Sequence, residues 1–354
     1  MNRETGRRGG LLSLWIVLSS CAPEAQPAPQ APPLQYAPPP YGYPQGYYGA
    51  PAPPQGYGAP PAYGAPPQGY GAPAPAPAPA PAPPPGHPLL VPLVGAVMWQ
   101  AETRAVLEEL KAHLTPDKVA LVTGIPLVFD PDPTQVNAFA GCDDSGAPFI
   151  AGTEGLLEAI DGMSQTKATD ELFGTRTYDT YAQVAAAALV SPQGGSARLP
   201  MGIVPAQLVP DLRRLSRAHE IFDEIVAFTF GHELSHHYLG HTGCAHGQPA
   251  GIPPAVSDLG RLASSVVPLF NQPNEIAADS AGCINVLDTG RARAGVAYRW
   301  SEEGGLWLLD FFSRLDAAAG ASPLLGFLRT HPSPALRIPV VQGVAATWRF
   351  QHPG

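Results

Sequence analysis

Residues 225–237 read Ile-Val-Ala-Phe-Thr-Phe-Gly-His-Glu-Leu-Ser-His-His, and few folds can carry such a stretch. Ile221, Ile225, Phe228, His232, Ser235 and Leu239 step by three or four, the period of one helix face. The run 225–230 is apolar nearly all round, which predicts a central helix rather than a surface one. The helical pattern covers residues 211–239, with room for one break, and Gly240 is placed to end it. On such a helix His232 and His236 are i and i+4 and can point two imidazoles at one ion. Glu233 sits one position round, beside the ion rather than on it, where a general base for a metal-bound water is needed. The expected chemistry is zinc-dependent peptide hydrolysis. The competing reading is a pair of histidines that merely hydrogen-bond in a core.

Two histidines leave a zinc ion under-ligated, because a catalytic zinc takes three protein ligands and keeps one open position. Asn274 reads as an N-cap, followed by a helix over residues 275–288 that ends at Gly290. Glu275 and Asp279 are four apart on it and face one way. Glu275 is the candidate third ligand. Asp279 is the candidate acceptor for the second N–H of a ligating histidine, which would set its tautomer and raise its basicity. The small residues Ala278 and Gly282 would let this helix lie close to the first.

The rest of the chain supplies context. Residues 1–21 carry Arg3, Arg7 and Arg8, a short apolar run from Leu11 to Leu18, and then Leu-Ser-Ser-Cys. This resembles a bacterial lipoprotein signal with cleavage before Cys21 and lipid on its sulfur; the alternative is an ordinary secretory signal. Ala22, where Asp is absent, favours an outer membrane facing the periplasm. Residues 22–88 are nearly all Pro, Ala, Gly, Tyr and Gln, and Pro-Pro-Gln-Gly-Tyr-Gly-Ala-Pro occurs at both 53–60 and 66–73. Such a segment cannot bury enough apolar surface to offset the entropy of ordering it. At about 3.1 Å per residue in polyproline II it reaches on the order of 200 Å. It reads as a tether, or as a partner-binding segment using the spaced tyrosines. Residues 89–354 suit one folded domain and contain no run of 18 apolar residues. A net charge of −9 argues against nucleic acid as a partner. Cys142, Cys244 and Cys283 allow one disulfide and one free thiol, in any of three pairings.

Residues 100–114 have helical periodicity, ended by Thr115-Pro116. Residues 119–129 read as a strand interrupted at Gly-Ile-Pro. Residues 135–140 and 148–153 read as a hairpin that runs into a helix, with Thr153 as its N-cap. Residues 174–210 have weak periodicity and are not placed. The connection 241–273 is long, with a short helix over 256–270, and residues 307–319 form another amphipathic helix.

Four pieces together resemble the gluzincin family that includes the CAAX prenyl protease, the heat-shock protease HtpX and periplasmic BepA-like proteins. Val136-Asn137-Ala138-Phe139 with Gly155-Leu156-Leu157 is similar to the family's hairpin. Gly231-His232-Glu233-Leu234-Ser235-His236 is similar to its catalytic helix. Asn274-Glu275-Ile276-Ala277-Ala278-Asp279 is similar to its E-x-x-A-D helix. Thr330-His331-Pro332 with Arg337 is similar to its late motif. The hairpin differs in carrying Cys142-Asp143-Asp144 where the family usually has Gly and apolar residues, and the His- and Pro-rich segment 241–273 does not resemble a recognised part of the family.

The resemblance implies an α+β fold, mainly α-helical: a zincin-like core with a central H-E-x-x-H helix and a small antiparallel sheet whose edge borders the cleft. It implies one Zn2+ on His232, His236 and Glu275, with Glu233 as base. His331 would donate to the oxyanion from the opposite side, and Arg337 would position it or the substrate. The strand near 147–152, with Phe149, Ile150 and Ala151, would be the edge that pairs with an extended polypeptide substrate. The implied protein is a lipid-anchored envelope protease for misfolded or misassembled proteins. The alternative is a chaperone-like assembly lipoprotein that binds extended peptides with little or latent cleavage. His237 and His241 are also four apart but lack a following Glu, so they take a supporting or surface place. His241, Cys244 or His246 could occupy the fourth metal position and hold the enzyme latent.

Overall fold

Asp211 begins the element around which the chain is built. Its carboxylate accepts the backbone N–H of Arg213 at 2.9 Å and of Arg214 at 3.2 Å, which satisfies donors that a helix start would otherwise orphan. From there α5 (Leu212–Tyr238) runs unbroken for 27 residues, about 40 Å at 1.5 Å per residue. Every residue from Ile221 to Tyr238 is buried. Gly240, with φ 78°, follows its end, as the sequence suggests.

This is a computed structural model, and it describes residues 88–247, 252–265, 272–293, 299–319, 331 and 334–353, all within the compact unit Pro73–Gly354. The expected signal and lipidation site at residues 1–21, and nearly all of the tether at 22–88, lie outside the described residues.

The described part is mainly helical with a small mixed sheet. In chain order it comprises α1 (Ala96–Ala112), α2 (Pro116–Val122), β1 (Leu127–Asp130), β2 (Ala138–Cys142), β3 (Pro148–Thr153), α3 (Glu154–Phe173), α4 (Thr177–Leu189), α5, α6 (Val256–Ser265), α7 (Gln272–Ala292), α8 (Glu303–Ala319) and α9 (Pro334–Gln351). Helices α1, α3, α7 and α8 surround α5. No described helix is long and apolar enough to cross a membrane.

The sheet corrects two expectations. Its order is β1-β3-β2, with β3 parallel to β1 and antiparallel to β2, so it is mixed rather than purely antiparallel. Phe149, Ile150 and Ala151 therefore lie on the central strand, buried on both faces, and not on an edge. The reason is β1, which pairs Leu127 to Asp130 with Ile150 to Thr153; a pairing made from outside the hairpin leaves no local signal. The expected long strand over 119–129 is also shorter. Pro116 occupies the start of α2, where a missing N–H costs nothing, and only Leu127–Asp130 is strand.

The hairpin turn explains Asp143. Its Oδ1 accepts the N–H of Ser145 at 2.8 Å and of Ala147 at 2.9 Å. Thr153 caps α3 as expected, accepting the N–H of Leu156 at 3.2 Å. The unplaced stretch contains α4, whose cap comes from another helix: Asp170 of α3 accepts the N–H of Thr177 at 2.6 Å and of Tyr178 at 3.0 Å. Helix α6 covers one face of the sheet, where Leu259 and Leu262 pack with Val128, Phe139, Phe149 and Ala151. Helix α7 starts at Gln272, so Asn274 lies in its first turn rather than before it, and it continues past Gly290 to Ala292. It lies close to α5, since a Cβ on Gly282 would come within 2.9 Å of the His232 backbone nitrogen.

Candidate metal centre

Helices α5, α7 and the residue ahead of α9 bring the distant candidates together. His232, His236, Glu275 and His331 are all buried, and one ligand atom from each lies within 4.8 Å of all the others. His232 Nε2 is 3.1 Å from His236 Nε2 and 3.3 Å from Glu275 Oε2, and His236 Nε2 is 3.4 Å from Glu275 Oε1. Donors bonded at about 2.1 Å to a tetrahedral ion sit about 3.4 Å apart. This buried group could hold a metal ion.

The second nitrogens of both histidines are engaged from behind. His232 Nδ1 is 2.9 Å from Asp279 Oδ1. A carboxylate accepts, so Nδ1 carries a proton and Nε2 is the nitrogen that faces the cluster. Arg337 in turn donates to both oxygens of Asp279 at 2.8 and 2.6 Å. This is the arrangement expected of Asp279, and through it Arg337 balances the charge of the carboxylate that orients His232. His236 Nδ1 faces His241 Nδ1 at 3.0 Å.

His331 stands among the same groups. Its Nδ1 lies 2.6 Å from Glu275 Oε2, while Nε2 is 3.6 Å from Glu233 Oε1 and 3.5 Å from the Ala138 carbonyl. It thus bridges the candidate third ligand and the candidate base. Thr330 and Pro332, the flanking residues of that motif, lie outside the described residues.

Electrostatics follow from burial against pairing. Burial and the nearby Arg337 oppose the His232 imidazolium, but hydrogen bonds to Asp279 and Glu275 outweigh them and raise its pKa to about 9. Burial, then the charge on His232, pushes His236 well below the usual range. Burial also opposes the Glu275 and Asp279 carboxylates; His331 and His232 nonetheless hold the first well below the usual range, and Arg337 holds the second there. Glu233 moves the other way, raised chiefly by burial.

The histidines past the motif are corrected by the structure. Cys244 is disulfide-bonded to Cys142 and offers no thiolate; Cys283 is the buried free thiol. His246 is exposed and bonds the Gly243 carbonyl at 3.1 Å. His241 reaches the outer nitrogen of His236, away from the Nε2 cluster. None of the three stands at a fourth ligand position. His237 is fully buried rather than at the surface, and its Nε2 donates to the Phe149 carbonyl at 2.9 Å, tying the central strand to α5. Burial pushes it down to about 4, so it is neutral in that bond.

No family model, curated protein or solved structure matches the chain.

Proposed function

We propose that the protein is a zinc-dependent endopeptidase of the gluzincin kind, anchored to a cell envelope by lipid on Cys21. The observation that carries the reading is Glu233: a buried carboxyl set beside three histidines and a glutamate whose donor atoms converge. A pure binding protein has no use for that base.

Two imidazoles and a carboxylate suit zinc. Held on His232, His236 and Glu275, zinc would supply a Lewis acid and a bound water with a pKa near 7. Glu233 takes the proton from the attacking water and returns it to the leaving amine, which contributes about 10²- to 10⁴-fold in rate. Its burial keeps bulk water from taking that proton between the two steps. His331, whose Nε2 faces Glu233 and the Ala138 carbonyl, would donate to the carbonyl oxygen as it gains negative charge. Asp279 and Arg337 hold His232 in the required tautomer.

The substrate edge is β2, not β3. Asn137 offers its carbonyl to Thr153 on the β3 side at 3.0 Å, so by strand alternation the peptide groups of Ala138 and Ala140 face outward. His331 lies against the Ala138 carbonyl on that side. An extended polypeptide pairing there gains backbone hydrogen bonds with little sequence preference, which fits misfolded envelope proteins as substrates. The tether, residues 22–88, would let the domain range away from its anchor.

The test is cleavage of an unfolded polypeptide such as reduced casein. Activity should disappear with a chelator and return with zinc. Binding without cleavage under zinc would favour the chaperone-like reading instead.

A further inference from the structure

A second cluster lies on the first half of α5. His219 and Asp223 are four apart on that helix, and Glu102 of α1 meets them. His219 Nε2 is 3.4 Å from Glu102 Oε1 and 3.7 Å from Asp223 Oδ1, and the three donor atoms lie within 4.8 Å of one another.

Three observations show what the cluster lacks. First, His219 Nδ1 is 2.6 Å from the Val91 carbonyl. A carbonyl only accepts, so Nδ1 carries the proton, and in the neutral ring the Nε2 lone pair faces two carboxylates. Second, Asp223 Oδ1 is buried in a residue only 3% exposed, and no described N–H or O–H is hydrogen-bonded to it; its neighbour is the Glu102 carboxylate, and burial pushes the Asp223 carboxyl well above the usual range. Third, the guanidinium that acts on both carboxylates, Arg293, gives its hydrogen bond to Glu109 at 2.9 Å. Two carboxyl groups and one imidazole therefore converge, and either a proton or a cation must join them.

A proton, on Nε2 or between the Glu102 and Asp223 carboxyl groups, is the rival occupant. Burial opposes that charge and Glu102 favours it, with a net upward shift for His219. A charged imidazolium–carboxylate hydrogen bond closes to about 2.7–2.9 Å, whereas these separations are 3.4 and 3.7 Å. They match instead the spacing of donors around one ion, as in the first cluster. The backbone carbonyl behind Nδ1 is also the usual support of a ligating histidine.

We propose that Glu102, His219 and Asp223 form a second divalent-cation site, for an ion of the zinc or manganese class, that staples α1 to the start of α5. One imidazole with two carboxylates suits both ions. The Glu102 side chain is 29% exposed, which leaves a way in. Glu220 follows His219 as Glu233 follows His232, but it lies toward Arg217, 3.4 Å away, whose closer partner is Glu171 at 2.7 Å. The site stands about 20 Å along the helix axis from His232. With Glu220 turned toward Arg217 and not among the donor atoms, the site holds structure together and does no chemistry.

The full chain, stripped with chelator and re-equilibrated with zinc or manganese, is assayed for bound metal by mass spectrometry. Wild type should hold two ions, and His219→Gln one. Glu102→Gln, at a partly exposed position where folding is not at risk, should also hold one. His232→Ala with His236→Ala should keep one, and its melting temperature should rise on adding zinc. That rise should vanish when His219→Gln is added. A His232→Ala/His236→Ala chain that binds no metal, or a His219→Gln chain with the wild-type count, overturns the site. Loss of the only bound metal in His219→Gln would support this site and refute the first.

Discussion

The two ends of α5 carry similar side chains to different purposes. At the C-terminal end each histidine is backed by a second group, Asp279 or His241, and Asp279 is backed again by Arg337. At the N-terminal end a single backbone carbonyl supports His219, and Glu102 is partly open to water. Each end also has a Glu directly after its first histidine. Glu233 stays beside His331 among the ligand atoms, while Glu220 is drawn off to Arg217. The difference teaches that similar donor sets on one helix can differ in burial and in support: on the proposed reading, a buried base with a layered support separates a catalytic centre from a structural one.

The comparison breaks most severely at Arg337. Arg337→Ala leaves Asp279 charged and buried, which should cost about 3–5 kcal/mol of stability in chemical denaturation. It should also weaken metal binding at His232/His236 while sparing the His219 end. A loss below about 1 kcal/mol would mean that the support is idle.

Glu224 sits between the two ends and sharpens the contrast, since it is buried without a metal to serve. Burial, opposed by hydrogen bonds from Ser301, raises its pKa to about 7 from 4.5. A folded-state pKa above the unfolded one gives stability that is complete below pH 4.5 and lost as pH rises through 7. Glu224→Gln keeps the acceptor for Ser301. It should match wild type at about pH 4 and exceed it by up to about 3 kcal/mol at about pH 8. Equal stability at both pH values would contradict this.

The smallest effect is expected from Asp279→Asn. It keeps the shape but weakens the acceptor behind His232, and metal affinity at the first centre should fall about 10- to 100-fold. Competition with a fluorescent zinc chelator measures it, and an unchanged affinity would leave Asp279 with no part in tuning the histidine.

Much of the first centre is legible in the sequence because its information is local. His232, Glu233 and His236 share one helical turn, Glu275 and Asp279 share another, and the cap at Thr153 follows from three residues. What escapes such a reading depends on pairing across the fold. The parallel partner β1 makes β3 central and leaves β2 at an edge. Asp170, capping α4 from the preceding helix, sends no signal from within α4. The choice of Cys142–Cys244 over the other pairings joins residues 102 apart. His219 and Asp223 have the same i, i+4 spacing as the motif, with Glu220 between them, but their third partner lies on α1, more than a hundred positions earlier in the chain.

The proposed chemistry turns on Glu233 being a base and not a ligand. Zinc content and casein turnover, measured on the same preparations of wild type and Glu233→Gln, test this directly. Equal zinc in both is expected, with turnover lower by about 10²- to 10⁴-fold in the variant. Wild-type cleavage by Glu233→Gln, or loss of zinc from it, would contradict the assignment.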